Sequence, residues 1–150
     1  MDQIDRKILN LMQRDASLTN VDMAAEVGLS PSTCLRRVQK IHRAGLIDRI
    51  VAILNPAKAD HVVKALITVE LKIHDEQKVR RFLRKASKFD TVSNAYSVTG
   101  ESDVVLILRT RNMEQLNEIS DKLFSEQNNV ARYFTMIIRR TEKEETAIPL

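Results

Sequence analysis

Tryptophan is absent from this 150-residue chain, whose aromatic side chains are four phenylalanines and two tyrosines. So few π-faces exclude stacking on single-stranded bases as a main mode of nucleic-acid contact. Cysteine occurs once, as Cys34, so no intrachain disulfide can form, and a reducing compartment is implied. The three glycines, Gly28, Gly45 and Gly100, are too scattered to build a phosphate-cradling loop. No apolar run approaches the roughly 20 residues that a bilayer requires, and the N-terminus lacks the basic start and apolar core of a signal peptide. A cytoplasmic protein with no membrane partner is expected. His42, His61 and His74 have neither ligand spacing nor cysteine partners, which argues against a metal site. No Ser/His/Asp set or carboxylate pair stands out, so neither an enzyme nor a bound cofactor is expected.

What is present is ordinary in amount and uneven in placement. The chain is 43% hydrophobic and 29% charged, with a net charge of +4. Residues 31–49 hold five Lys/Arg against Asp48 alone, whereas residues 1–30 hold three against five acids. The positive charge gathers on one predicted helix. Ser30 is a good N-cap, Pro31 suits the first helical position, and Gly45 can take positive φ just past the end. On a helical wheel Cys34, Leu35, Val38 and Ile41 share one side. Ser32, Thr33, Arg36, Lys40 and Arg43 share the other, with Arg37 at its edge. Guanidinium forks for base edges, with ammonium and hydroxyl groups for phosphates, are what a recognition helix needs.

The surrounding residues fit that role. Ile4, Ile8, Leu11 and Met12 give helical spacing between Asp2 and Asp15, and Thr19 with Asp22 forms a near capping box before a second helix that Gly28 ends. Two short helices joined by Gly28-Leu29-Ser30, the second one basic, form a helix-turn-helix, and the leading helix completes a three-helix core. Leu46-Ile47 and residues 50–54 are rich in β-branched side chains and predict a short strand or wing. Residues 1–55 are thus expected as a DNA-binding domain and 56–61 as a linker.

Residues 62–150 read differently. Val63, Ala65, Ile67, Val69, Leu71 and Ile73 alternate with mostly polar residues, the mark of a half-buried strand. Helical spacing over 76–88, strands at 92–99 and 103–110, a helix around Leu116, Ile119 and Leu123, and a strand at 130–140 complete a βαββαβ order. The fold class is α+β, a winged helix-turn-helix followed by a ferredoxin-like sandwich. Both helices would cover one sheet face. The runs 104–108 and 136–138 are apolar at both parities, so a second subunit is the natural cover for the other face.

Several stretches taken together resemble the leucine-responsive regulator/AsnC (feast-or-famine) transcription factors of bacteria and archaea. They include Ile4-Asp5-Arg6-Lys7-Ile8-Leu9, the run from Val27 to Val38, Gly45-Leu46-Ile47, Leu54-Asn55-Pro56, Thr99-Gly100-Glu101-Ser102-Asp103 and Thr146-Ala147-Ile148-Pro149-Leu150. The resemblance spans nearly the whole chain. It implies a regulator of double-stranded DNA whose second domain dimerises and binds a small effector, usually an amino acid, with dimers assembling further into tetramers or octamers. Two positions depart from the family pattern. Ser102 stands where an aromatic residue is usual, and His42 where an acid is common.

Ser32, Thr33, Arg36, Arg37 and Lys40 are therefore the DNA-contact candidates, with Lys40, late in the helix, suited to phosphate rather than bases. Thr99, Gly100, Glu101, Ser102 and Asp103, with Thr135 on a neighbouring strand, are the effector candidates. As plain structure the same Gly-Asp segment is a hairpin turn. Three functions remain open: an effector-responsive regulator, a constitutive multimeric architectural DNA binder without an effector, or an enzyme-regulatory or metabolite-sensing subunit whose helical domain binds protein.

Overall fold

Asp2 opens the first helix by accepting a hydrogen bond from the Asp5 N–H at 2.8 Å, while the Asp5 carboxylate accepts from the Asp2 N–H at 3.2 Å. This reciprocal cap starts α1 (Gln3–Arg14) and satisfies two of the N–H groups that a helix start leaves without partners. Thr19 and Asp22 form the expected box before α2 (Asn20–Val27), and Ser30 with Pro31 starts α3 (Pro31–Arg43). Gly28 and Gly45 take φ of +70° and +67°, where a side chain would strain the backbone. The three helices bury Ile8, Leu9, Met23, Ala24, Cys34 and Ile41 together. Leu35 departs from its expected inward place and is 46% exposed, because it lies about 100° around the helix from Cys34.

The structure is a computed structural model that describes residues 1–125 and 128–150. It divides into two compact units, residues 1–53 with 142–150, and residues 54–141. The tail falls with the first unit instead of the second: the Gln13 side-chain amide accepts from the Ile148 N–H at 2.7 Å and donates to the Ile148 carbonyl at 3.1 Å. Irregular chain that docks through its backbone leaves no periodic trace in a sequence. Residues 46–54 form no strand within the chain, and Ile50, Val51, Ile53 and Leu54 stand exposed. The expected linker contains one short turn of 3-10 helix, Pro56–Ala59, capped by the Asn55 side chain.

The second unit runs β1 (Val63–Leu71), α4 (Glu76–Ala86), β2 (Val92–Ser97), β3 (Val104–Thr110), α5 (Met113–Leu123) and β4 (Val130–Ile137). The sheet is antiparallel in the order β2-β3-β1-β4, the ferredoxin-like sandwich expected. Ala65, Ile67, Val69 and Leu71 of β1 and Val104, Leu106 and Leu108 of β3 are fully buried against Phe82, Ala86, Leu116, Ile119 and Leu123 of the two helices. The opposite face carries two cross-strand rows, Tyr96–Val105–Thr68–Phe134 and Asn94–Ile107–Leu66–Met136. Tyr96, Phe134 and Met136 are about half exposed there. Among the described residues no helix is long and apolar enough to cross a membrane.

Candidate nucleic-acid interface and effector loop

The first site is the outer side of α3. Cys34 and Ile41 hold the inner side, and burial pushes the Cys34 thiol above its ordinary pKa, which leaves it a small core residue. Ser32, Arg36 and Lys40 are exposed along the opposite side, and Thr33 is half-buried beside the cap. The Ser30 hydroxyl donates to Thr33 Oγ1 at 2.8 Å. Arg36 and Lys40 join no ion pair among the described residues, so both cations face solvent from successive turns of one helix.

Arg37 is placed differently. Its Nη1 donates to Asp2 Oδ2 at 2.6 Å and to Asp5 Oδ1 at 2.7 Å, and the Asp5 side chain is only 5% exposed. The two carboxylates raise the Arg37 pKa above its ordinary value. The Asp5 N–H bond and then Arg37 hold the Asp2 carboxyl below the usual aspartate value. Burial pushes Asp5 up, yet the Arg37 and Asp2 hydrogen bonds outweigh it and its pKa is lowered too. Arg37 therefore ties α3 to the capped start of α1, unlike Arg36 and Lys40, which have no such partner among the described residues. Nothing in the sequence pairs Asp2 and Asp5 with Arg37.

The second site is the turn between β2 and β3. Gly100 takes φ of +128°, which favours glycine, although a Cβ there would meet nothing within 4 Å. The Val98 N–H donates to the Asp103 carbonyl and the Asp103 N–H to the Val69 carbonyl, both at 3.0 Å. Asp103 Oδ2 accepts from the Leu71 N–H at 2.7 Å, and Oδ1 lies 2.9 Å from His74 Nδ1. Burial pushes the Asp103 carboxyl up, but His74 and the Leu71 N–H outweigh it and leave it below the usual range. Asp103 in turn raises the His74 pKa. Both Asp103 oxygens thus fasten the turn to the end of β1, and no sequence signal placed His74 there.

The turn brings Thr99, Gly100, Glu101, Ser102 and Asp103 together. Thr135 stands apart. On β4 it pairs with Ile67 of β1, and β1 lies between β4 and β3, so it is not on the strand neighbouring the turn.

A capped helix-turn-helix with an outward basic face, followed by a βαββαβ sandwich, defines a transcriptional regulator of the helix-turn-helix class. The AsnC-type helix-turn-helix domain matches residues 1–42, and the Lrp/AsnC ligand binding domain matches residues 64–148. Transcriptional regulator AzlB of Bacillus subtilis is 32% identical over 151 residues, covering all of this chain and 96% of the relative. The leucine-responsive regulatory protein of Rhizobium meliloti is 31% identical over 150 residues, again covering all of this chain and 96% of the relative. An AsnC family transcriptional regulator from Agrobacterium tumefaciens superposes with a TM-score of 0.92 at 29% identity, over 99% of this chain and 97% of that one. A transcriptional regulator from Neisseria meningitidis in complex with L-Met superposes with a TM-score of 0.88 at 27% identity, over 99% of this chain and 96% of that one. The chain belongs to the Lrp/AsnC family of helix-turn-helix transcriptional regulators. Family and fold are those of ligand-responsive DNA-binding regulators and not of enzymes.

Proposed function

We propose that this chain is a sequence-specific regulator whose assembly and DNA affinity respond to an amino acid in the cytoplasm. The observation that carries the DNA half is α3 itself, capped at both ends, held by Arg37 on one flank and offering Ser32, Thr33, Arg36 and Lys40 on the other. Arg36, near the start of the helix, reads a base edge, and Lys40 anchors phosphate. The apolar rows through Val105 and Ile107 support a homodimer formed through the open sheet face, with tetramers or octamers above it. Such a dimer presents two recognition helices to major grooves on half-sites one turn apart, or a multiple of it.

The effector half rests on the turn at residues 99–102, where backbone N–H groups and the exposed Glu101 carboxylate offer partners for both ends of an amino acid. The L-Met complex of the Neisseria relative supports an amino acid as the ligand class. By linkage, a ligand that prefers one assembly state shifts DNA affinity by the ratio of its affinities for the two states. Ser102, where the family has an aromatic residue, favours the second reading of a constitutive architectural binder. Selection of bound duplexes from a random pool, with and without a mixture of amino acids, tests both. An enriched two-fold motif that changes with the mixture is the expected result. No enrichment refutes the specific regulator, and enrichment indifferent to the mixture leaves the effector-free reading.

A further inference from the structure

The helical layer of the second unit carries charge that neither proposed site uses. Residues 77–89 hold six Lys/Arg and no acid, against four Lys/Arg in α3. Phe82 and Ala86 are buried and Val79 and Leu83 half-buried, so Arg80, Arg81, Arg84 and Lys85 lie on the outward side of α4. Arg80 pairs with Glu76 at 2.6 Å on its own helix, and the Lys85 amine donates to Asn128. Arg81, Arg84 and Lys88 join no ion pair among the described residues. An open depression of about 640 Å³ lies among Arg81, Arg84, Lys85, Lys88 and the half-buried Phe89.

Helix stability does not account for this stripe. Arg81 and Lys85 stand at i, i+4, as do Arg84 and Lys88, and Arg81 and Arg84 stand at i, i+3. Like charges at these spacings repel. Lys78, in the first turn, also opposes the helix dipole, whereas Arg84 and Lys85, in the last turn, gain from it. Asp90, exposed just beyond Phe89, is the carboxylate next to the depression in sequence. An anion seated among the cations would relieve their repulsion, so the stripe is prepared for one.

We infer that this depression binds a compact anion of linked phosphates, the chemistry shared by nucleoside triphosphates and inorganic triphosphate. The guanidinium groups of Arg81 and Arg84 are forked donors that match phosphate oxygens, and Lys85 and Lys88 set ammonium donors beside them. Cations gathered from successive turns of one helix suit adjoining phosphates better than a lone carboxylate, whose single charge would leave most of them unmatched. The negative end of the α4 dipole amounts to about half a charge, which these cations outweigh. Phe89 gives the depression an apolar wall against which a base or sugar can lie. Duplex DNA fits less well. On α5, packed on the same sheet face, Glu114, Glu118 and Asp121 are exposed at i, i+4 and i+7 and would repel the phosphates of a long polyanion. A ligand confined to the depression, which no α5 residue lines, avoids them.

The test is titration calorimetry of the full chain at low salt, without DNA, against inorganic triphosphate, ATP, AMP and orthophosphate. Triphosphate and ATP should bind about tenfold or more tightly than AMP or orthophosphate. Tighter binding of ATP than of triphosphate assigns the ligand to the nucleotides, with base or sugar on Phe89; equal binding assigns it to the phosphate chain alone. Arg84→Gln/Lys88→Gln should weaken triphosphate binding by about tenfold or more and keep duplex affinity. It should also melt no lower than wild type, because a repulsion has been removed. Arg36→Gln/Lys40→Gln should lose duplex binding and keep triphosphate. Triphosphate that binds no more tightly than orthophosphate, or equally well to Arg84→Gln/Lys88→Gln, overturns the inference. A lower melt in that variant overturns it too, by marking the stripe as structural. So does loss of triphosphate in Arg36→Gln/Lys40→Gln, which would place the anion on α3. Loss of duplex affinity in Arg84→Gln/Lys88→Gln does the same by assigning the stripe to DNA.

Discussion

Ile8→Ala should destabilise the DNA-binding unit and spare the rest of the chain. Ile8 is completely inaccessible and sits among Leu9, Met23, Ala24, Cys34 and Ile41. Cutting it back to Cβ costs about 2–5 kcal/mol, the transfer loss plus the cavity that a packed core cannot close. A unit of this size holds roughly 3–9 kcal/mol in total, at about 0.05–0.15 kcal/mol per residue. One substitution therefore removes a large share of its stability, about a fifth at the least. The second unit has its own core on β1 and β3, which Ile8 does not enter. Two thermal transitions are expected by calorimetry, one falling by roughly 8–40 °C at about 4–8 °C per kcal/mol, the other unmoved. Ile8→Val, costing about 0.5–1.5 kcal/mol, should move the same transition by only a few degrees. Duplex binding should fall with the population of the folded unit while the mass of the assembly stays the same. A single transition that shifts as a whole would refute the independence of the two cores, and no shift at all would refute the packing of Ile8.

Three further outcomes follow from the same geometry. Arg36→Ala should cost about 1–3 kcal/mol on the true site and relax base preference there, whereas Lys40→Ala should weaken all duplexes alike and reduce the salt slope by about one; identical profiles for both variants would count against the assignment. Ile107→Glu, in the centre of the open sheet face, should give a monomer by sedimentation, and a dimer of undiminished affinity would move the interface elsewhere. His74 has a raised pKa, so its contribution to stability is full below its ordinary 6.5 and lost as pH rises through the raised value; Asp103 has a lowered pKa, so its contribution is full above 3.8 and lost as pH falls through the lowered value. Wild type should exceed His74→Gln in denaturant midpoint most between about pH 4 and 6.5, and a difference that persists undiminished to pH 9 would contradict the pair.

What the sequence disclosed was local or periodic. Ser30-Pro31 and Gly45 bound α3 because capping is decided within three or four residues of a helix end. The alternation from Val63 to Leu71 announced β1 because one face of it is buried, and Ile73, beyond its end, is exposed. Contacts between distant residues left no such mark. Arg37 meets Asp2 and Asp5 across more than thirty positions, and a helical wheel could place it only at an edge between packing and solvent. Thr135 illustrates the same gap for sheets. Strand order, which puts β1 between β3 and β4, decides its neighbours, and its own alternation pattern does not. The β-branched run at 46–54 has the composition of a strand, yet a ladder needs a partner that the single chain does not supply.

The turn between β2 and β3 shows how a residue of the right type can be committed elsewhere. As a sequence, Asp103 offers a carboxylate to pair with an amino acid's ammonium. In the fold its two oxygens hold the Leu71 N–H and His74, and it sits largely buried. A ligand would have to reach a carboxylate that is largely buried and already bonded on both oxygens. Glu101, exposed one residue past the positive-φ Gly100, has no such commitment among the described residues and can meet an ammonium at once. Glu101→Gln should therefore weaken amino-acid binding by about tenfold or more, since hydrogen bonds to charged groups contribute roughly 1.5–3 kcal/mol, and leave the melting temperature unchanged. Asp103→Asn should instead lower the melting temperature by loosening the turn, with affinity reduced only through that loss. Titration calorimetry of both variants and wild type against the twenty amino acids, with melts in parallel, separates the two roles. Loss of binding in Asp103→Asn with an unchanged melt would return the ligand contact to Asp103. If wild type binds none of the twenty, the turn is a strap alone, and the DNA-binding surface on α3 stands without it.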